Sequence, residues 1–230
     1  MGSRRISLRD LRRNPPSKVA GKRVILVCEG EKTEKIYFEL FKEKLRLAAV
    51  KMEVVPRECG SDPLSVVKYG IRLFKEDSGI DACFCVIDRD SHATFNDALQ
   101  SARAFGAKTG VNRIFREISS YPCFEYWFIL HFDPPSRKPF SVGGGKSPGE
   151  NAIVELKKNL PEYTKTNATA IRSLIDKTDV AIRNSQNVMR HAVDTGELNP
   201  STEVHLLMTY LYGLINKDTL DEATAALKRA

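Results

Sequence analysis

The feature that most constrains the fold is a short apolar run, residues 82–87, that ends abruptly in two acids, Asp88 and Asp90. An apolar run of this length with β-branched and aromatic residues is typical of a strand buried on both faces of a parallel sheet. In open α/β sheets, ligands bind at the carboxyl ends of the strands. Because side chains alternate along a strand, we expect Asp88 and Asp90 on the same side, with Arg89 turned away.

Two interpretations of this acidic pair are open at this point. Two close carboxylates repel each other, and a divalent cation is the simplest means of keeping both ionised. Alternatively, Asp88 and Asp90 only cap a helix that starts near His92. The pair alone does not decide between a metal site and a helix cap, so the decision depends on the rest of the chain.

The length and composition are those of an ordinary folded protein. The chain has 230 residues, 42% of them hydrophobic and 28% charged, which is enough for one large domain with its own core and excludes a disordered chain. No apolar run approaches the roughly 20 residues needed to cross a bilayer, and we expect no signal peptide. The five cysteines fit neither a disulfide framework nor a zinc site. These features predict a cytoplasmic protein without membrane contact.

Strand-like and helix-like stretches alternate through the first half of the chain. Strands are predicted over 23–28, 51–56, 81–87 and 113–118, with helices over 33–47, 63–75 and 92–105 between them. Asp62 and Pro63 are typical of the first residues of the second helix. The alternation predicts an α/β fold with a mainly parallel sheet of about four strands, flanked by helices.

The aromatic stretch 121–132 is predicted to be a buried helix that starts at Pro122 and carries one acid, Glu125. A lone carboxylate in such surroundings is costly unless it is paired, hydrogen-bonded or bound to a metal. His131, in the same stretch, is expected to be a partly buried core residue. Glu125 is therefore a third candidate for an acidic site.

Four segments divide the predicted organisation. They are a basic flexible arm (1–21), an α/β domain (22–132), a Gly/Pro-rich loop (133–150) and a helical C-terminal region (151–230). Helices in the last segment are predicted over 151–159, 167–174, 176–194 and 201–215, followed by a tail helix. Residues 199–203 resemble a helix N-terminal signal, whose simplest role is capping.

Much of the net charge of +7 comes from the N-terminal segment, where residues 1–23 hold eight basic side chains and one acid, Asp10. Such a segment suits a polyanion, since each phosphate contact releases counterions. A solvated tail that only keeps the protein in solution is the alternative.

Glu29 directly follows the first predicted strand. If the first and third strands are neighbours, Glu29 meets Asp88 and Asp90 at one edge of the sheet. Oxygen ligands without a set of His or Cys residues favour Mg²⁺, or Mn²⁺, over zinc.

These motifs carry a resemblance to a known family. A glutamate in a Glu-Gly turn after the first strand and an Asp-x-Asp after a later one resemble the Toprim fold of topoisomerases, primases and OLD-type nucleases. Across residues 20–215 the chain resembles the RloB-like family in four ordered blocks, which are 27–34, 86–90, 122–132 and 199–202. The resemblance implies a Toprim-like sheet with a helical C-terminal extension.

The resemblance also implies a function. It implies a Mg²⁺-dependent phosphodiester hydrolase on DNA, with RNA as the alternative, that acts in bacterial or archaeal phage defence and abortive infection. Such proteins often occur beside an AAA/ABC-type ATPase partner. Glu29 would be the first metal ligand or the acid/base, Asp88 and Asp90 would be catalytic metal ligands, and Glu125 a further one.

Two more residues are weaker candidates. OLD-type nucleases carry a second glutamate four residues after the first, whereas Glu34 follows Glu29 by five. Glu34 could be a metal ligand or a solvated acid in the first turn of a helix. Tyr163 and Lys165 match a family-like block, and Lys165 could be a catalytic group that neutralises a phosphate or a surface lysine.

Two other classes of function compete with the nuclease. One is a non-catalytic or latent subunit that binds nucleic acid or the ATPase through the helical half and the basic arm. The other is a receiver-like phosphoacceptor domain, which also uses acids at strand ends. The single acid at Glu29, and the absence of a suitable Lys turn after the later strands, argue against the receiver-like domain.

Overall fold

The computed structural model describes residues 21–30, 32–56, 59–60, 62–89, 92–110, 112–133, 135 and 137–229. The predicted basic arm therefore lies outside the described residues except for Gly21, and Asp90 also lies outside them. The predictions made for the arm and for Asp90 stay predictions.

A five-stranded sheet, with strand order β2-β1-β3-β4-β5, forms the centre of the described fold. Its strands are β1 (Val24–Cys28), β2 (Val50–Val54), β3 (Ala82–Asp88), β4 (Ile114–Tyr121) and β5 (Ser201–Thr202). The first four strands are parallel, and β5 pairs antiparallel with β4. The predicted α/β fold with a mainly parallel sheet is confirmed, and the short β5 adds a strand that the sequence did not predict.

Helices cover both faces of this sheet and follow it in the chain. They are α1 (Thr33–Leu45), α2 (Pro63–Glu76), α3 (Phe95–Gly106), α4 (Glu125–Ile129), α5 (Pro148–Leu156), α6 (Ala168–Ile175), α7 (Thr178–Thr195), α8 (Val204–Gly213) and α9 (Lys217–Arg229). The predicted start of α2 is confirmed, since the Asp62 carboxylate accepts from the backbone N–H groups of Leu64 and Ser65. Within the described residues, no helix combines the length and apolar character required to span a membrane.

The alternation of side chains along the strands divides the core into two layers. Leu26 and Phe84 face the layer that contains α1, α4 and the C-terminal helices. Val27 and Cys85 face the opposite layer, against α2 and α3. All five cysteines are free, and all but Cys59 are buried, as expected for small core residues. Burial of both faces explains why the parallel strands are nearly continuous apolar runs.

Three local predictions are wrong. Residues 199–203 do not begin a helix: Ser201 and Thr202 pair with the end of β4, and α8 starts at Val204. Pro122 does not begin a helix either, because β4 extends to Tyr121 and α4 starts only at Glu125.

The third error concerns the loop predicted over 133–150. Helix α5 begins inside it, at Pro148, because Ser147 and Glu150 form a capping box. Helix α3 also begins later than predicted, at Phe95, after a turn that contains His92.

Candidate functional site

A cleft of about 930 Å³ lies at the carboxyl ends of β1, β2 and β3. Its charged and titratable lining residues are Glu29, Lys32, Glu34, Asp88, His92, Cys123, Glu125, Glu150 and Lys165. The cleft is at the edge of the sheet where α/β proteins bind their ligands. Acids outnumber bases among these residues, so the cleft favours a cationic ligand or a ligand that brings cations with it.

The strand order explains why the predicted acids meet. Strands β1 and β3 are neighbours, and Cys28 lies opposite Val86 in their register. Glu29 follows β1 and Asp88 ends β3, so both project from the same edge of the sheet. The structure brings five of the six predicted site residues to this cleft, which are Glu29, Glu34, Asp88, Glu125 and Lys165.

The Asp88 carboxylate is only half satisfied. Its Oδ2 accepts a hydrogen bond of 3.0 Å from the backbone N–H of Phe124, whereas Oδ1 is buried and has no hydrogen-bond partner among the described residues. Thr94 stands at the N-cap position of α3, without a side-chain capping hydrogen bond, so Asp88 is not the helix cap that the sequence left open. Burial, and then the charges of Glu34 and Glu125, raise the pKa of Asp88 well above its usual value.

Glu34 lies in the first turn of α1, half-buried, and lines the cleft. Burial, and then the charges of Glu125 and Glu29, raise the pKa of Glu34 to about 7. A carboxylate with this pKa is partly protonated at neutral pH. Its surroundings therefore differ from those of a freely solvated acid at a helix start.

Glu125, on α4, is 2% exposed and is held by groups from two other parts of the chain. The Tyr163 hydroxyl donates a hydrogen bond of 2.9 Å to Oε1, and the Thr33 Oγ1 lies 3.4 Å from the same oxygen. Lys165 Nζ lies 3.8 Å from Oε1 as well. The predicted lone carboxylate is thus buried, hydrogen-bonded and paired with a cation.

Lys165 has an exposed side chain that also lines the cleft. The charge of Glu125 is the largest cause of a raised pKa at Lys165, and Glu34 adds to it. The ammonium group therefore stays protonated at neutral pH beside the acids of the cleft. It is placed where it could meet an anionic group of a substrate.

Thr33 is a residue of this site that was not predicted from the sequence. It is 3% exposed and directly precedes Glu34. Its position at a helix start suggests a cap, and only the fold shows that its hydroxyl reaches Glu125. His131, by contrast, is a core residue as predicted: it contacts Tyr37 Oη and the Trp127 carbonyl, and burial lowers its pKa to about 3.

The described part of the chain contains no group of three or more His, Cys, Asp or Glu side chains that could hold a metal ion. Asp90 lies outside that part. A metal at this cleft is therefore a matter for proposal.

Comparison with known proteins gives one match. The family model described as RloB-like protein matches residues 24–211, a span that contains the strands and the whole cleft. No curated protein matches the chain, and no solved structure does.

Proposed function

The chain belongs to the RloB-like family, and from this premise we propose that it is a metal-dependent phosphodiester hydrolase, a Toprim-type nuclease that acts on DNA. One observation carries the proposal. Asp88 Oδ1 is buried at the end of β3 without a hydrogen-bond partner among the described residues, and burial, together with the nearby acids Glu34 and Glu125, raises the pKa of Asp88. Buried polar atoms without partners are rare, and those that occur at a cleft are candidates for ligand contact.

The residues present fit a hard divalent cation. Asp88, Glu34, Glu125 and Glu29 offer carboxylate oxygens. The described residues of the cleft include a single thiol, Cys123, and a single imidazole, His92, and not the set of such ligands that zinc prefers. Asp90 is a further ligand in the proposal. Added positive charge would relieve the mutual repulsion that raises the pKa of Asp88 and Glu34. Mg²⁺ or Mn²⁺ is the ion that matches this donor set.

When bound, a divalent ion supplies Lewis-acid polarisation of a phosphoryl oxygen and makes water a stronger nucleophile. The chain's own residues supply the rest. Lys165 places a positive charge beside Glu125, where it can neutralise charge on the phosphate. Glu29, which follows β1, is the candidate general acid or base, which accepts or donates a proton in the reaction. The backbone N–H of Phe124 orients the Asp88 carboxylate.

The wider role follows from the resemblance and from charge. The family resemblance supports a role in phage defence, in the cytoplasm, with an AAA/ABC-type ATPase as partner. The excess of basic residues in the N-terminal segment supports nucleic acid as the substrate. RNA instead of DNA is a possible substrate of the same chemistry.

A second function, a latent subunit that binds nucleic acid or the ATPase without cleaving, is favoured by a different observation. In the portion that the structure describes, no three potential ligand side chains form a complete metal-binding group. A binding subunit needs no such group.

The experiment that tests the proposal is nucleic-acid cleavage by the purified full chain. Supercoiled plasmid, linear DNA and RNA are each incubated with Mg²⁺, Mn²⁺ or EDTA. We expect cleavage that needs the metal and is abolished in Asp88→Ala and Glu29→Ala. The matched control is Asp133→Ala, which removes an exposed acid outside the cleft and should cleave as the wild type does.

Each outcome has a meaning. Metal-dependent cleavage that persists in a folded Asp88→Ala variant contradicts the assignment of the site. Intact nucleic acid in every lane shifts the weight to the binding subunit, and adding the partner ATPase is then the next measurement.

A further inference from the structure

A buried hydroxyl pair surrounds one oxygen of Glu125. The Tyr163 hydroxyl donates to Oε1 at 2.9 Å, and Thr33 Oγ1 lies 3.4 Å from Oε1 and 3.3 Å from Tyr163 Oη. Tyr163 is 1% exposed and Thr33 is 3% exposed, so both side chains are shielded from solvent. The three side chains form one hydrogen-bonded unit in the wall of the cleft.

The unit ties together three distant parts of the sequence. Thr33 stands 92 residues before Glu125 and 130 residues before Tyr163. Thr33 is in the first turn of α1, next to Glu34, and Tyr163 lies two residues before Lys165. The orientation of Glu125 is therefore linked to the segments that carry two other charged residues of the cleft.

Both hydroxyls contact Oε1 of Glu125, and neither contacts Oε2. Carboxylates that bind metals are commonly oriented by hydrogen bonds of this kind, and loss of such a partner weakens metal binding. A free carboxylate would rotate and lose part of its affinity to conformational entropy. Hydrogen bonds to Oε1 fix the plane of the group before the ion arrives.

We propose that Thr33 and Tyr163 are positioning residues that hold the Glu125 carboxylate in the orientation that binds the divalent ion. The inference rests on the proposed function, because it requires that Glu125 is a ligand. Neither hydroxyl touches the reacting atoms in this proposal, and both act through Glu125.

The test is Mn²⁺ affinity of the full chain, measured by titration calorimetry without nucleic acid. We expect Tyr163→Phe, which removes only the hydroxyl, to weaken Mn²⁺ binding about 10- to 100-fold. Thr33→Val should weaken it about 10-fold, and Thr33→Ser, which keeps the hydroxyl, should restore binding to the wild-type level. The matched control is Tyr210→Phe, which removes another buried tyrosine hydroxyl, one that has no hydrogen-bond partner among the described residues.

A second comparison separates positioning from general packing. In a Glu125→Gln background, Tyr163→Phe should cause no further loss of Mn²⁺ affinity, because its effect passes through the carboxylate. An equal loss in both backgrounds would mean that the tyrosine supports the fold and not Glu125.

The outcomes distinguish this inference from the proposed function. Wild-type protein that binds no Mn²⁺ overturns both. Wild-type protein that binds Mn²⁺ and loses it in Asp88→Ala, but keeps it in Tyr163→Phe and Thr33→Val, overturns only the positioning role.

Discussion

Two groups of carboxylates that are at least partly buried lie along the sheet, and they differ in how their charge is neutralised. In the first, the paired cluster, Glu203 accepts from Arg116 Nη2 at 3.0 Å, from Ser119 Oγ at 2.8 Å and from Ser119 N at 3.2 Å. In the second, the cleft cluster of Glu34, Asp88 and Glu125, one Asp88 oxygen has no partner among the described residues. In the first cluster both Glu203 oxygens are hydrogen-bonded and one is paired with a cation, as a buried charge requires, although Arg116 Nε has no hydrogen-bond partner among the described residues.

The comparison shows that carboxylates outside the cleft are given hydrogen-bond and ion-pair partners by the fold. Glu117, 2% exposed on β4, is a further example, since Arg103 Nε donates to it at 2.8 Å. In the cleft cluster, by contrast, the charges of Glu34, Asp88 and Glu125 all act on the same lysine, Lys165. An incomplete set of partners at the carboxyl edge of the sheet supports the proposal that a ligand binds there.

The largest effect on stability is expected in the paired cluster. Arg116→Met keeps most of the side-chain volume but leaves Glu203 buried without its cation, and the carbonyl of Leu227 loses a donor. We expect the free energy of unfolding to fall by about 3–5 kcal/mol. Urea denaturation measures it.

The control is Arg183→Met, which breaks an ion pair with Asp133 whose two side chains are both about half exposed. That change should cost less than about 1 kcal/mol. A loss as small as this for Arg116→Met would show that the two clusters do not differ as described.

The next largest effect concerns the cleft cluster and has a pH dependence. Because the pKa of Glu34 rises from 4.5 to about 7 on folding, the folded state binds this proton more tightly than the unfolded state. Stability should therefore fall as pH rises from about 4.5 to 7, by roughly 1–3 kcal/mol for this group. Glu34→Gln should remove that fall, and urea denaturation at pH 5, 6, 7 and 8 measures it.

The matched control is Glu39→Gln on the same helix, where the acid pairs with Lys42 at the surface. Its pH dependence should follow the wild type. Saturating Mn²⁺ should also flatten the fall in the wild type, since a bound cation stabilises the charged carboxylates. Identical curves for wild type and Glu34→Gln, without metal, would contradict the electrostatic account of the cleft.

The sequence allowed a good prediction of the four parallel strands, but it did not predict the last strand, β5. The parallel strands are buried on both faces, so each is an apolar run that ends at a clear signal. Strand β5 has only Ser201 and Thr202, and its pairing with β4 depends on residues about 80 positions earlier. Locally the same residues resemble a helix cap, and Glu203 is held by Arg116 across that distance.

The acids of the cleft were predictable because each carries a local signal. Glu29 and Asp88 follow apolar runs, and Glu125 is a lone charge among aromatic residues. Thr33 has no such signal, since its contact with Glu125 exists only after α1 and α4 have packed on the same face of the sheet. The local sequence identifies acidic side chains that need a hydrogen-bond or ion partner, whereas tertiary contacts determine which residue is that partner.

The smallest effect on stability is expected at Asp62, a carboxylate whose hydrogen bonds are complete. Asp62 lies between β2 and α2, and β2 is the neighbour of β1, the strand that Glu29 follows. Partial burial raises its pKa, but hydrogen bonds from Ser65, Thr94 and Leu64 outweigh burial and lower the pKa to about 2. Asp62→Ala should cost about 1–2 kcal/mol at pH 7, where these bonds to the start of α2 are lost.

The pH dependence of this variant should have the opposite sign to that of Glu34. The contribution of Asp62 is fully present above its ordinary pKa of 3.8 and is lost as pH falls towards 2, so the difference between wild type and Asp62→Ala should shrink below pH 4. Thermal unfolding of both proteins between pH 2 and pH 7 measures it. A difference that stays constant over that range would show that Asp62 acts by packing alone, and the contrast between satisfied and unsatisfied carboxylates would then rest on the paired cluster.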